Sequence, residues 1–340
     1  MKLAILVALH LCFSITLGAP AFADCSLLKI TQMPLVELGN HYAVMVKIND
    51  VMRPMIVDTG AEITTLNASA ADKLDLTPDM ASIGHLRPVV GIGQTAAKLY
   101  LNVIPAMFGL GDLVYRNRST AVADMGFEQK LRESASIGLI GDDILSQYDV
   151  EFDFASKQLS FYRAQNCYDT FLPWTGPYAK VPFDHHDVKI VVDIVLNDER
   201  TRAIVDTGNN VSFVSRKSSA LWNVPDDQFV NTKAVSTSPL NGGTSKPIRN
   251  YTFDTFKIGD ETFYKKTIGI VDVDLSTGTA NLGLDYFKTH KLWISYRNQM
   301  MFISRQPALS KLAYPVVEAK PMAGDGRTSI AVQTAPKELN

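Results

Sequence analysis

The chain has 340 residues, 46% of them hydrophobic and 20% charged, with a net charge of −2. That length accommodates two cores of about 150 residues each. The charge balance gives no basic footprint for nucleic acid and no acidic tail, so no nucleic-acid partner is expected and electrostatics names no other.

Lys2, an apolar run from Leu3 to Leu17, and Ala21-Phe22-Ala23 predict a secretory signal over 1–23. The alternative is an uncleaved anchor, but the run is short for a spanning helix and His10 interrupts it. Cleavage makes the chain exported, periplasmic or secreted, with no membrane attachment, and leaves 32 basic residues against 35 acidic. Asp24 before Cys25 is unlike the small residue of a lipoprotein cleavage box. Cys12 departs with the signal, so Cys25 and Cys167 form one disulfide or remain two free thiols.

Residues 24–163 are expected to form a first lobe. Short alternating runs from Leu35 to Val57, broken by Asn49-Asp50, predict a hairpin feeding a buried strand. Asp58-Thr59-Gly60 ends it in a tight loop, followed by a short strand over 63–66 and a short helix over 68–76. Val89 to Gln94 is a Gly-rich hairpin tip, and 99–108 and 113–122 are strand candidates. A short helix is expected over 128–134 and a helical turn over 143–147. Strands follow over 148–154 and 159–162.

Residues 164–180, with Pro173, Gly176 and Pro177, make a linker. A second lobe over 181–305 repeats the programme: paired strands around Asn197-Asp198, a loop at Asp206, a strand over 211–214, a short helix ending by Pro225, a Gly-rich segment at Asn241-Gly242-Gly243, and strands over 293–296 and 300–303. Residues 306–340 have little periodicity and are expected to be poorly ordered. Short, turn-rich spacing throughout means an all-β chain.

The repeat carries the argument. Ile56-Val57-Asp58-Thr59-Gly60 recurs as Ile204-Val205-Asp206-Thr207-Gly208, 148 residues on, and each Asp follows an Asn-Asp pair by nine residues. Gly141 and Gly283 each open a segment ending in an Arg 22 residues later, at Arg163 and Arg305. A lone Asp-Thr-Gly arises by chance in roughly one chain of this length in ten; two inside a longer repeat do not. One Asp alone would be a turn cap, but duplicated loops related by a pseudo-twofold axis bring two aspartates face to face. Two carboxylates within hydrogen-bond reach cannot both ionise, so the pair holds one proton, and one member can take a proton from water while the other donates to a carbonyl. Each Thr hydroxyl can lock the opposite loop, and each Gly lets backbone approach a carboxylate.

These residues resemble the aspartic peptidases of the pepsin and retropepsin type. Asp58-Thr59-Gly60-Ala61-Glu62 is similar to the retropepsin loop, Leu139-Ile140-Gly141 to the apolar-apolar-Gly segment behind it, and Val90-Gly91-Ile92-Gly93 to the flap. The resemblance covers about 33–305, and is nearest to two-repeat, retropepsin-like bacterial enzymes. It implies a two-lobed acid-protease fold of β-barrel-like repeats, and an endopeptidase that cuts polypeptide in the cleft by activated water, with no metal or other cofactor, acting as a monomer. Asp58 and Asp206 would be the catalytic pair, supported by Thr59, Gly60, Thr207 and Gly208. Ala61, Glu62, Asn209, Asn210, Gly91, Ile92 and Gly93 would contact substrate. The second loop departs from the family pattern at Asn209, where Ala, Ser or Thr is usual; this residue either donates to the dyad or crowds it. The flap lacks the aromatic residue of pepsins, and strand signals by Leu35 leave no room for a pepsin-type prosegment.

Other signals are weaker. Gly91 to Ala96 formally matches a dinucleotide fingerprint, but strand rather than helix follows. His185-His186 lacks further ligands at metal spacing and is expected in an exposed turn. Asn67, Asn117, Asn210 and Asn250 head glycosylation sequons, relevant only in a eukaryotic secretory pathway. The competing functional reading is a catalytically weak peptide-binding or regulatory protein on the same fold.

Overall fold

A computed structural model describes residues 25–89, 97–125, 136–167, 172, 174–186, 188–219, 222, 248–275 and 277–304, with the backbone of 316–321 and 328–330. The signal expected over 1–23, residues 90–94 of the first Gly-rich tip, the Gly-rich segment at 241–243, the helix expected over 128–134 and the end of the helix expected before Pro225 lie outside these residues. The architecture is two β lobes joined by a shared sheet, the two-lobed acid-protease fold.

Each lobe opens with the hairpin its alternation requires. In the first, His41–Ile48 pairs with Val51–Val57; in the second, Lys189–Leu196 pairs with Glu199–Val205. The turns take the left-handed backbone that Asn tolerates, with φ of 50° at Asn49 and 47° at Asn197. Behind each hairpin the apolar-apolar-Gly segment inserts as a strand. Gly138–Ile140 runs parallel to Val51–Val57 and antiparallel to Thr65–Asn67. Ala280–Leu282 does the same between Glu199–Val205 and Phe213–Ser215. Every hairpin strand therefore ends, at Asp58 or Asp206, over a strand that fixes its height.

The lobes meet through Asp149–Asp153 and Lys291–Ser295, which pair antiparallel across the pseudo-axis. Gln158–Gln165 and Ser26–Pro34 extend this platform on one side, Met300–Ser304 and Ala179–His186 on the other. Lys291 is half-buried there between Glu151 and Asp153, at 3.2 and 2.8 Å. Burial alone would depress its pKa, but the two carboxylates outweigh it and the net shift is upward.

Several expectations change. Residues 99–106 form no regular strand: Leu99 and Val103 make isolated bridges, because Pro105 has no N–H to extend a ladder, and Met107–Leu110 begins after it. The strand expected over 113–122 is split into Leu113–Arg116 and Ala121–Ala123 by Asn117 at φ 50°. Strand structure begins at Ser26, ahead of Leu35; a register shift between Lys29 and Thr31 breaks the alternation that would have revealed it. A long hairpin, Ile248–Ile258 with Glu261–Val271, fills a stretch the reading left blank. In the tail, Val316–Pro321 runs parallel to Ser26–Pro34, whose outer backbone groups would otherwise form an open sheet edge, and Thr328–Ile330 pairs onto it.

Candidate active site

Asp58 and Asp206 end the two hairpin strands, 8% and 7% exposed. Their backbone N–H groups donate to Ile140 and Leu282 of the inserted strands, both at 3.0 Å, so the two loops are held alike. The threonines then cross. Thr59 Oγ1 donates to the Val205 carbonyl at 2.8 Å, and Thr207 Oγ1 donates to the Val57 carbonyl at 2.8 Å. Each hydroxyl also accepts from the opposite threonine's N–H, at 3.1 and 3.0 Å. Four buried hydrogen bonds thus lock loop to loop, and a broken partner would leave a buried polar group unmet.

The glycines set the separation. A Cβ on Gly60 would stand 2.6 Å from Asp206 Cγ, and one on Gly208 would stand 2.2 Å from Asp58 Cγ. Each carboxyl therefore rests against the opposite loop's glycine, and the two carboxyls hydrogen-bond each other. Burial, then the charge of Asp206, pushes the Asp58 carboxyl well above the ordinary carboxylate range. Burial raises Asp206 as well, offset in part by hydrogen bonds from Asn281, Asp58 and the backbone of Gly208 and Asn209.

With this geometry in view, residues 44–144 match the family model described as aspartyl protease. The match lies within the first lobe and includes the Asp58 loop and the Gly138–Ile140 strand behind it. No curated protein matches the chain. Among solved structures, the aspartic proteinase from Irpex lacteus matches at 14% identity over 82% of this chain and 98% of its own, with a TM-score of 0.47.

Around the two loops the remaining candidate residues divide. Ala61 packs against the buried cluster that holds Leu139. Glu62, half exposed, pairs across the lobes with Lys189 at 3.2 Å. Asn209 does not crowd the dyad: its side chain turns away, Nδ2 donating to Asn281 Oδ1 at 3.2 Å. Asn210 is half-buried beside it. Gly91, Ile92 and Gly93 lie outside the described residues. Cys25 and Cys167 are joined as a disulfide.

Four features were not anticipated. Thr64 and Ser212 each donate both N–H and hydroxyl to an aspartate of the segment behind, Asp143 and Asp285. Asn281, 2% exposed, donates to Asp206 Oδ2 at 2.8 Å. His41 faces Asp206 and hydrogen-bonds the Gly208 backbone; burial lowers its pKa against both influences. His185 is no exposed turn residue: it belongs to the strand Ala179–His186, and its Nε2 lies 2.8 Å from Asp142 Oδ1 of the first lobe. Its neighbour Asp184, paired with Arg202, points the other way because strand residues alternate.

Proposed function

We propose that this protein is an exported aspartic endopeptidase that hydrolyses polypeptide with a water activated between Asp58 and Asp206. The observation that supports it is the reciprocal pair of threonine hydrogen bonds, which press two buried carboxyls together at equivalent points of a duplicated unit. Two buried carboxyls in contact hold one proton. One carboxylate removes a proton from water as its oxygen attacks the peptide carbonyl carbon, and the protonated partner gives its proton to the carbonyl oxygen. The resulting gem-diol collapses as the amide nitrogen takes up the first proton and a hydroxyl returns the second; the C–N bond breaks and the dyad regains its starting state. The disulfide between Cys25 and Cys167 supports an oxidising compartment.

The competing reading of a weak binding protein loses its main support, because the Asn209 side chain is engaged with Asn281 rather than set against the dyad. Cleavage of a denatured protein from pH 3 to 8, with and without a statine-type inhibitor, tests the proposal. Asp58→Asn and Asp206→Asn should each lower kcat/KM by at least ~1,000-fold without unfolding the chain. Inhibitor-sensitive cleavage that survives either substitution would remove the dyad from the chemistry.

A further inference from the structure

The duplicated unit separates what the fold requires from what it does not. The threonine cross-bonds, the glycine contacts and the carboxylate anchors at Asp143 and Asp285 all occur twice. A pair of amides beside the dyad has no counterpart in the other lobe. At equivalent places in the inserted strands stand Leu139 and Asn281, and at equivalent places in the loops stand Ala61 and Asn209. The first lobe thus has an apolar pair where the second has two amides, and the apolar pair shows that this place needs no polar group to fold.

The direction of the amide chain follows from its start. Val211 N–H can only donate, and Asn209 Oδ1 receives it at 3.3 Å. Asn209 therefore turns Nδ2 to Asn281, which must meet it with Oδ1, at 3.2 Å. That leaves Asn281 Nδ2 facing Asp206 Oδ2 at 2.8 Å. The oxygen meets a group that donates and cannot accept, so a proton there would lose its partner and clash. Among the described residues Asp58 has no such side-chain donor: the Leu139 and Ala61 side chains offer only hydrocarbon, leaving the Gly60 and Ala61 amides as its neutral donors.

We propose that Asn281, oriented by Asn209, is a positioning residue that fixes the shared proton on Asp58 and keeps Asp206 ionised. Resting on the peptidase reading, this makes Asp206 the group that takes the water proton and Asp58 the group that donates to the carbonyl oxygen. Among the described residues, the other titratable groups facing the pair are His41, opposite Asp206, and Tyr296, near Asp58. Burial lowers the His41 pKa, which favours its neutral form, and raises that of the Tyr296 hydroxyl, which favours its protonated form, so neither works against the assignment.

The test replaces the amides by the first lobe's own pair, Asn209→Ala with Asn281→Leu, and uses Asn281→Ala as a smaller second variant. The measurement is the 13C carboxyl titration of labelled aspartate, assigned with Asp58→Asn and Asp206→Asn. In the wild type, at a pH where the dyad holds one proton, the protonated signal should be Asp58 and the ionised one Asp206. In the double variant the split should narrow and the acid limb of kcat/KM should move up by about one pH unit. A protonated Asp206 in the wild type, or a split and acid limb unchanged in folded variants, would overturn the assignment. The titration needs no turnover. If the wild type cleaves nothing while the split responds as stated, the peptidase reading fails and the proton assignment stands.

Discussion

A methyl group at position 208 would stand 2.2 Å from Cγ of Asp58, closer than any real contact, and the carboxyl has no free space to yield because it already meets Asp206. Gly208→Ala should therefore push the carboxyls apart while leaving the threonine bonds to hold the lobes. Its kcat/KM should fall by about 100-fold, a common result of misplacing a reacting group by an ångström, with Tm reduced by only a few degrees. A variant with the parent rate would mean that the carboxyls do not touch. At this scale the sequence was most informative where residues recur: Asp58, Thr59 and Gly60 announce themselves by their second copy. Asn281 did not, because the signal is a difference between the copies rather than a match. Setting Ala280-Asn281-Leu282 beside Gly138-Leu139-Ile140 would have exposed a polar residue in an apolar strand. His185 is hidden for another reason: its partner Asp142 lies in the other lobe, and no local spacing reports such a contact.

Between lobes, the platform strands place ionisable groups in the interior. Asp149 lies 5% exposed on Asp149–Asp153. Burial lifts its carboxyl to about 6, despite hydrogen bonds from Ser295 and the Ala164 backbone and the charge of Arg297. Its folded pKa exceeds the unfolded value of 3.8. The stability it contributes is therefore complete below about pH 4 and lost as pH rises through about 6. Asp149→Asn, which keeps an acceptor without the charge, should match the parent in denaturant melts at pH 3.5. It should be more stable at pH 7, by up to roughly 3 kcal/mol. Equal stability at both pH values would show that the carboxyl is solvated. Strand type and order were legible where alternation is regular, as in Tyr148 to Phe154. Legibility failed where a bulge, a proline or a left-handed Asn interrupts pairing, at Lys29, Pro105 and Asn117. These are decided by neighbouring strands that periodicity alone does not contain.

The whole molecule depends on bringing two halves of one chain together, and the disulfide acts on that step. Cys25 and Cys167 flank the antiparallel pair whose register starts at Ser26 and Gln165, two strands out from the pairing between the lobes. The bond closes 142 residues, nearly the whole first lobe. Restricting so long a loop in the unfolded chain stabilises by about 4–5 kcal/mol in entropy models, and measured gains are often smaller. Because the constraint acts on the unfolded chain, and the native strands already align these ends, removing it should change stability and not chemistry. Replacing both cysteines by serine should lower Tm by roughly 10 °C. It should leave kcat/KM and its pH profile within about twofold of the oxidised enzyme at 20 °C. Loss of activity at a temperature where the variant is fully folded would instead mean that this edge of the platform transmits strain to the loops at Asp58 and Asp206. The platform would then be part of the catalytic apparatus rather than its support.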